Sequence, residues 1–411
     1  MPQKFLEVVD LENAMKSLQK WWKPREKTEE VNIMQAFGRV LGEDLFAPVD
    51  IPPFDRAAYD GYAVRSEDTF GATETTPKVL KVVGRIAAGT PPKKKLRRGE
   101  CLEIATGAPL PQGADAVVLV ENTIPDGNRV KILRAVAPAE NVTKKGSDVK
   151  KGELLVPQRR VLTAREIGAI SAAGIKKVKV FSRPKVAIIS TGSELLEAGK
   201  RLERAKIYDA NGPLLSTAVR SCGGYPVYLG IAKDDPQDIL SKLRRALKSA
   251  DVVIISGGTS AGKGDLVPAV IRKLRGSRML VHGLAVKPGK PTFLAVAGGK
   301  PIFGLPGYPV SALMIFDQLV APHIRKMSGL EEKRKLIVNA RLAKKVISSR
   351  GRRSLIPVKV RVEKGQLLAE PLWKDSGAIV SLSAADGYID IPLGREMLEE
   401  GEEVEVHLFG S

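Results

Sequence analysis

The sequence is poor in the residues that form metal clusters and disulfide frameworks. Only two cysteines occur in 411 residues, Cys101 and Cys222, and they lie far apart without the spacing of metal ligands. The three histidines, His282, His323 and His407, are isolated from one another, which argues against a histidine-based zinc site. We therefore expect both cysteines to be small buried residues of a protein in the reducing cytoplasm.

Long apolar segments are also missing. No uninterrupted apolar run approaches the roughly 20 residues that a membrane helix needs. The first seven residues, MPQKFLE, contain an early acidic residue and no apolar core of a signal peptide. We expect no membrane association and no secretory signal.

Aromatic residues are scarce while basic residues are abundant. Aromatics form 5% of the chain, and 66 Lys and Arg against 46 Asp and Glu give a net charge of +20. The densest basic run, residues 93–98, has no interleaved aromatics that could stack on bases. This composition argues against nucleic-acid binding as a function. A solvated basic face, or the attraction of a small polyanionic substrate, explains the charge better.

A chain of this length is expected to form two to four domains. Apolar residues at helical spacing predict a helix over residues 4–22, and residues 160–174 predict another, with Thr163 as N-cap and Glu166 at the capping-box distance. Between them, short β-like runs divided by Pro and Gly predict a compact β domain over residues 48–142. We expect residues 1–47 and 143–182 to join as one elongated, mixed domain around this insertion.

Near-continuous apolar strands alternate with helices over residues 183–328. The predicted helices cover residues 213–222, 236–249, 266–275 and 309–327. This alternation predicts an α/β domain with a parallel sheet covered on both faces, whose ligands bind beyond the carboxyl ends of the strands. After a charged linker at residues 331–335, a small carboxy-terminal β domain is expected within residues 329–411.

Six short segments rich in Gly and Pro stand at or between the predicted strands. They are residues 60–62 (DGY), 105–109 (ATGAP), 190–194 (STGSE), 256–260 (SGGTS), 287–291 (KPGKP) and 304–309 (GLPGYP). Such turns expose backbone N–H groups and form concave anion sites. Hydroxyls, lysines and carboxylates lie in the same turns, which suits an anionic ligand bridged by a divalent cation.

The acidic residues near these turns allow two interpretations. Asp265 stands just before a predicted helix and could simply cap it. Alternatively, it could bind a hydrated Mg²⁺ together with Glu194 and Asp234 from neighbouring strand ends. Lys287 and Lys290, on a turn stiffened by two prolines, are either ordinary solvated lysines or a pair of fixed charges for an anion.

In combination, these segments resemble the molybdopterin molybdenumtransferase (MoeA) family, whose animal relative is the carboxy-terminal part of gephyrin. The matching runs appear in the family's order. They are residues 54–65 (FDRAAYDGYAVR), 105–115 (ATGAPLPQGAD), 144–148 (KKGSD), 190–195 (STGSEL), 208–211 (YDAN), 234–236 (DDP), 256–260 (SGGTS), 287–291 (KPGKP) and 304–311 (GLPGYPVS).

The resemblance implies an enzyme of molybdenum cofactor biosynthesis that inserts molybdate, or tungstate, into adenylated molybdopterin with Mg²⁺ and releases AMP. The catalytic residues it implies are Asp60, Thr106, Glu194, Asp234 and Asp265. Of these, the metal ligands would be Glu194, Asp234 and Asp265. Substrate and oxyanion would be bound by Ser256, Gly257, Gly258, Ser260, Lys287, Lys290, Pro306, Pro309, Ser311, Arg352 and Ser376.

The resemblance also implies a homodimer with a shared active site, in which Asp60 and Thr106 complete the cleft of the partner chain. Two positions depart from the family, which usually has Met where Tyr59 stands and Asn where Tyr308 stands. The α/β domain alone also resembles molybdopterin adenylyltransferase, although that family has no flanking domains. A non-catalytic scaffold like gephyrin is a further alternative, but a scaffold has no need of the acidic and lysine residues present here.

Overall fold

The computed structural model describes residues 8–259, 266–331, 336–372 and 378–409. The chain forms two compact units. The first, here called the α/β unit, comprises Met1–Glu29, Gly38–Gly42 and Val180–Ser411. The second, here called the β-sheet unit, comprises Glu30–Phe37 and Glu43–Lys179. The four domain boundaries expected from the sequence stay predictions.

Helices are concentrated in the α/β unit. The α-helices are α1 (Leu11–Trp21), α2 (Ala164–Ala172), α3 (Asn211–Ser221), α4 (Pro236–Ser249), α5 (Leu266–Lys273), α6 (Pro309–Ile315), α7 (Ala321–Met327) and α8 (Ile379–Ser383). Short 3₁₀ turns cover Ile33–Gln35, Ser66–Thr69 and Val120–Asn122. No helix in the described ranges is long and apolar enough to cross a membrane.

Strands occur throughout the chain. They are β1 (Thr28–Asn32), β2 (Leu45–Phe46), β3 (Arg56–Ala57), β4 (Gly61–Val64), β5 (Lys78–Ile86), β6 (Glu100–Ile104), β7 (Ala116–Leu119), β8 (Thr123–Asp126), β9 (Arg129–Ile132), β10 (Val142–Thr143), β11 (Leu154–Val156), β12 (Lys177–Phe181), β13 (Lys185–Thr191), β14 (Leu195–Leu196), β15 (Ile207–Tyr208), β16 (Tyr225–Ala232), β17 (Val252–Ser256), β18 (Arg278–His282), β19 (Val286–Lys287), β20 (Phe293–Ala297), β21 (Lys300–Leu305), β22 (Ile337–Leu342), β23 (Val346–Ile347), β24 (Arg353–Glu363), β25 (Gln366–Pro371), β26 (Gly387–Ile391), β27 (Met397–Leu398) and β28 (Glu403–Leu408).

The central sheet of the α/β unit has the strand order β16-β13-β17-β21-β20-β18. Strands β16, β13, β17 and β21 are parallel, as predicted, but β20 is antiparallel to both of its neighbours. The prediction of a parallel sheet is therefore confirmed for these four strands and wrong at this edge. The reason is local: Gly298 and Gly299 both adopt positive φ and close a two-residue hairpin between β20 and β21.

Both faces of this sheet are covered, as predicted. Because successive side chains of a strand point to opposite faces, Ile188 packs with helices α3 and α6 while Ile189 packs with α4 and α5. All central strand residues from Val252 to Ile255 are fully buried. The near-continuous apolar runs in the sequence are thus the mark of a sheet that has no solvent face.

The predicted helix over residues 4–22 begins only at Leu11, and residues 1–7 lie outside the described ranges. Asp10 stops the helix from starting earlier, because its side chain accepts a hydrogen bond from the N–H of Asn13 at 2.7 Å as an N-cap. Val9 is extended and pairs with Leu284. Helix α1 packs on the central sheet through Ala14 and Leu18.

The single long helix predicted over residues 309–327 is interrupted. A π-helical segment, Phe316–Val320, separates α6 from α7. Pro322 explains the break, because it lacks the N–H that would continue the regular ladder in the second position of α7. The predicted helix over residues 236–249 is confirmed, with Asp235 as its N-cap.

A second sheet of the α/β unit is formed largely by the carboxy-terminal β region. Its order is β19-β24-β25-β22-β28-β26, and β24 also pairs with β26, so that five strands close into a barrel. The barrel is filled by an apolar cluster that includes Val358, Ile389 and Val406. Strand β19 joins this sheet from the region that precedes it in the chain, with Lys287 opposite Ser354.

The β-sheet unit contains a six-stranded sheet of order β7-β4-β6-β5-β9-β8. Apolar clusters lie on both of its faces, one around Val118 and Ile132 and the other around Ile104 and Val117. The capping box predicted for α2 is confirmed, since Thr163 and Glu166 bond to each other's backbone N–H. Both cysteines are buried and neither forms a disulfide. Burial raises the pKa of the Cys101 thiol to about 12.

Candidate active site

A cleft of about 810 Å³ lies at one edge of the central sheet of the α/β unit. It stands beyond the ends of β13, β17 and β21, whose carboxyl ends are adjacent because these strands are parallel neighbours. Seven of the predicted site residues line it: Glu194, Asp234, Ser256, Gly257, Gly258, Pro306 and Pro309. The topology of the sheet thus brings four separate sequence segments to one place.

The turn after β17 approaches the neighbouring chain segment so closely that only glycine fits. Gly257 has φ +92°, and a Cβ there would lie 2.4 Å from the carbonyl oxygen of Thr191. A Cβ at Gly258, with φ +59°, would meet the side chain of Val267 at 2.9 Å. These glycines keep the backbone of the turn at the surface of the cleft, where its N–H groups can face an anion.

Asp209 is a buried acid of the cleft that the sequence did not single out. Its carboxylate accepts hydrogen bonds from Ser190 Oγ at 2.8 Å, from the backbone N–H groups of Asn211 at 3.0 Å and Gly212 at 3.1 Å, and from the hydroxyl of Tyr228. Burial, and then the bond to Asp209, raises the pKa of Tyr228 above its usual range. Through these hydrogen bonds, Asp209 connects β13, β16 and the start of α3.

Asn211 was also not proposed from the sequence, and it connects two of the glycine-rich turns. Its side-chain Nδ2 donates to Ser256 Oγ and to the carbonyl of Gly307, each at 2.7 Å. Ser256 Oγ in turn donates to the carbonyl of Pro306 at 3.1 Å. The hydroxyl of Ser256 is therefore buried and engaged within the protein. The only sequence signal for Asp209 and Asn211 was their place in the run YDAN.

Glu194 and Asp234 are exposed carboxylates on the cleft wall. The backbone N–H of Ser193 donates to Asp234 Oδ2 at 2.9 Å, and the N–H of Asp234 donates to Ser193 Oγ at 3.2 Å. The ammonium group of Lys206 donates to the carbonyl of Ser193. These bonds hold the loop that carries Glu194 against the loop that carries Asp234; the two are called the acidic loops below.

The third predicted metal ligand, Asp265, lies outside the described residues, as do Ser260 and Ser376. In the described part of the chain, no group of three or more His, Cys, Asp and Glu side chains is placed to hold a metal ion. The exposed acidic wall in the described residues is thus the pair Glu194 and Asp234, while Asp209, which also lines the cleft, is buried. The predicted set of three metal ligands stays a prediction.

The two predicted lysines stand on a turn beside the cleft, and only the following residue, Pro291, lines it. Lys287 is exposed and Lys290 half-buried. The turn is held from both sides: the N–H of Leu284 donates to the carbonyl of Lys290 at 3.0 Å, and Lys287 pairs with Ser354 of the barrel. The predicted residue Arg352 lies two positions before Ser354, so the backbone brings it to the same region.

The remaining predicted residue of this unit is Ser311. It is 3% exposed in α6 and is not part of the cleft lining. Pro309 begins the same helix at its first turn, where the missing proline N–H costs no hydrogen bond.

Asp60 and Thr106 form a pair of their own in the β-sheet unit. Asp60 precedes β4 and Thr106 follows β6, and the antiparallel register of Gly61 with Ile104 brings the two together. Asp60 Oδ1 accepts hydrogen bonds from the backbone N–H of Thr106 at 2.6 Å and from its hydroxyl at 2.8 Å. The Thr106 backbone bond is the main reason that the pKa of Asp60 is lowered, and the charge of Arg85 adds to it.

Models of known protein families match three consecutive stretches that together span most of the chain. Residues 9–174 match "MoeA N-terminal region (domain I and II)", residues 187–326 match "Probable molybdopterin binding domain", and residues 339–409 match "MoeA C-terminal region (domain IV)". The second stretch is the one that carries the cleft. Fold and cleft therefore place the chain among the molybdopterin biosynthesis proteins.

Individual proteins agree with the family models. The chain is 32% identical to the molybdopterin molybdenumtransferase of Staphylococcus epidermidis, over 94% of this chain and 92% of that protein. It is 34% identical to the enzyme of the same name from Nostoc, over 92% and 88%. The crystal structure of the molybdopterin biosynthesis MoeA protein from Pyrococcus horikosii aligns with a TM-score of 0.84 and 45% identity, over 98% of this chain and 100% of that one. The chain belongs to the MoeA family.

Proposed function

We propose that the protein inserts molybdate, or tungstate, into adenylated molybdopterin and releases AMP. Its molybdenumtransferase class follows from the relatives of that name, which align over almost the whole chain. The observation that carries the proposal is the cleft, where glycine-rich turns and the acidic pair Glu194 and Asp234 meet at the ends of parallel strands. Such a site suits a substrate that carries both phosphate and a bound cation.

The backbone of Gly257 and Gly258 would hold the phosphate groups, since positive φ at both residues leaves their turn free for close approach. Lys287 and Lys290 would hold the oxyanion, because their turn is fixed at both ends by backbone hydrogen bonds and strand pairing. Fixed positive charges stabilise an anion more than mobile ones, since they need no reorganisation when it binds.

The acidic wall fits Mg²⁺, whose preferred ligands are carboxylates and water. Glu194 and Asp234 offer exposed carboxylate oxygens on the cleft, and Asp265 would be the third ligand. When bound, the cation would neutralise phosphate charge at the phosphoanhydride that links AMP to the pterin. The hydrogen bonds of Ser193 would keep Asp234 oriented in its absence.

We also propose that the active unit is a homodimer in the cytoplasm. Asp60 and Thr106 of one protomer would complete the cleft of the other. The support is their exposed pair, in which one oxygen of Asp60 accepts both hydrogen bonds from Thr106 and leaves the other for a ligand. Light scattering at working concentration tests the assembly, and a fully active monomer would contradict it.

The direct test is chromatographic detection of AMP released from adenylated molybdopterin, with molybdate and tungstate supplied in turn. We expect release to require an oxyanion and the wild-type Glu194. Consumption of ATP with unadenylated molybdopterin would instead identify an adenylyltransferase. Failure of both reactions, with a stable fold, would point to a scaffold.

A second test separates oxyanion binding from pterin binding. Removal of one charged hydrogen bond costs about 1.5–3 kcal/mol, which is roughly a ten- to hundredfold loss of affinity. Lys290→Ala should raise the molybdate concentration needed for turnover by this factor and leave the KM for the pterin nearly unchanged. Lys16→Ala, on the exposed side of α1, is the control. Lost nucleotide affinity with unchanged molybdate dependence would reassign the lysine to the phosphates.

A further inference from the structure

Two tyrosine rings stand exposed on the cleft. Tyr208 ends β15 and is 43% exposed, and Tyr308 precedes α6 and is 63% exposed. Both line the same cavity. Large aromatic surfaces left open inside a cleft are unusual, because burying such a ring elsewhere would stabilise the fold.

The segments that carry the two rings are tied to each other. Asn211, three residues after Tyr208, donates through Nδ2 to the carbonyl of Gly307, which directly precedes Tyr308. The hydroxyl of Tyr208 also donates to the carbonyl of Lys200 at 2.8 Å, which orients that ring. The backbone next to Tyr308 is stiffened by Pro309. The two rings therefore stand on anchored backbone and are not carried by a loose loop.

Within the residues that the structure describes, the side chain of Tyr308 has no hydrogen bond and no ring contact. The ring thus contributes little to the fold. Because it lines the cleft and is exposed, the ring is available for contact with a ligand.

The chemistry of the cavity narrows the ligand group that such rings would contact. A tetrahedral oxyanion and a phosphate offer no flat apolar surface, and they are better held by the lysines and glycine turns. Leu195, Ile207 and Pro306 add apolar wall to the same cavity. Aromatic rings beside apolar walls suit a planar heterocycle, since stacking combines apolar burial with favourable quadrupole contacts.

We propose that Tyr308, with Tyr208, stacks on the planar heteroaromatic ring of the substrate and sets how tightly that ring is bound. The proposal rests on the proposed function, whose substrate contains two such rings, the pterin and the adenine. The shared chemistry is a flat nitrogen heterocycle joined to phosphate. Tyr308 is in this sense a specificity residue that supplements the lysines and carboxylates.

Calorimetric titration of the full-length protein with two separate probes, AMP and a free pterin, tests the proposal. Stacking on one aromatic ring contributes about 1–3 kcal/mol per base, so Tyr308→Leu should weaken one of the probes by roughly five- to a hundredfold. Tyr308→Phe keeps the ring and should stay within about threefold of wild type. Tyr308→Asn, which also removes the ring, should resemble the leucine variant. Tyr225→Leu removes a tyrosine that is 55% exposed outside the cleft, and is the control.

The outcomes separate this inference from the proposed function. If both probes bind and no Tyr308 variant changes either affinity, the stacking role is wrong while the function stands. If only the pterin binds, with an affinity that depends on Tyr308, stacking is supported and the adenylated substrate is contradicted. If neither probe binds to the wild type, both proposals fail. Loss of AMP affinity alone would assign the ring to adenine.

Discussion

The α/β unit and the β-sheet unit each hold part of the predicted site, and they hold it by different means. In the α/β unit, parallel strands deliver several loops to one edge, and a network through Asp209 and Asn211 joins them around a cavity. In the β-sheet unit, the register of two antiparallel strands places Asp60 against Thr106 on an exposed surface. The first arrangement surrounds a cavity, and the second presents a single oriented carboxylate.

The comparison teaches that the two parts of the site depend on different physical conditions. The cleft depends on close backbone approach, so it is sensitive to added atoms. The pair of Asp60 and Thr106 depends on one charge and two hydrogen bonds. It is therefore sensitive to a change of charge or of hydrogen-bonding groups, and it tolerates a change in side-chain size.

The largest effect is expected from Gly257→Ala. The new Cβ would lie 2.4 Å from a backbone oxygen at φ +92°, so strain of about 1–2 kcal/mol adds to about 1–3 kcal/mol of overpacking. Gly107→Ala in the β-sheet unit is the matched control, because it also has positive φ but meets nothing within 4 Å. Urea unfolding should show the larger loss for Gly257→Ala. Equal losses would show that the turn after β17 has room to relax.

Asp60→Asn should preserve folding and reduce turnover by roughly a hundred- to a thousandfold. The amide keeps an oxygen that accepts both bonds from Thr106, so only the charge is lost. Thermal unfolding and AMP release should be measured on the same preparation. Full activity would mean that Asp60 merely forms a turn, as Asp before Gly often does.

Lys206→Met should lower kcat by about tenfold, and by up to about a hundredfold if the acidic loops shift by 1 Å. The lysine does not line the cleft, but it bonds to the carbonyl of Ser193, whose N–H holds Asp234. Lys200→Met, on the same exposed loop, is the control. The Mg²⁺ concentration needed for half-maximal rate should rise with Lys206→Met, which a loss of surface charge alone would not cause.

The smallest effects at neutral pH concern two buried groups, one in each unit. Burial, and then the charge of Lys326, lowers the pKa of His323 to about 4. As the pH falls below about 6.5, the unfolded chain therefore binds a proton at this residue before the folded chain does. The free energy of unfolding falls as a result from about pH 6.5 towards pH 4. The hydroxyl of Thr163 is the main reason that the pKa of Glu166 falls to about 2, so its contribution is present above about pH 4.5 and is lost towards pH 2.

Acid unfolding, monitored by hydrogen exchange in each unit, should therefore show two pH ranges in which stability is lost, an upper one and a lower one. His323→Leu should flatten the loss in the upper range in the α/β unit, and Glu166→Gln that in the lower one in the β-sheet unit. A single shared range, unchanged by either substitution, would contradict the assignment.

Much of the architecture could be predicted because it is determined by residues that are close together in the sequence. The helix at Pro236–Ser249 and the capping box at Thr163 follow from residues within one turn of each other. The antiparallel position of β20 was missed, although its cause, two adjacent glycines, is also local. The π-helical break at Phe316–Val320 was missed because the apolar pattern continues through Pro322.

The cleft is a different case. The sequence by itself determined which turns can expose backbone N–H groups and which carry charge, since glycine, lysine and carboxylate have these properties in any fold. Only the tertiary structure decided that the hydroxyl of Ser256 donates to the carbonyl of Pro306, and that Asp209 and Asn211 connect the turns. It also decided that Tyr308 faces the cavity. Hydrogen-bond partners and exposure are relations between distant segments, and they exist only once the strands have been ordered in the sheet.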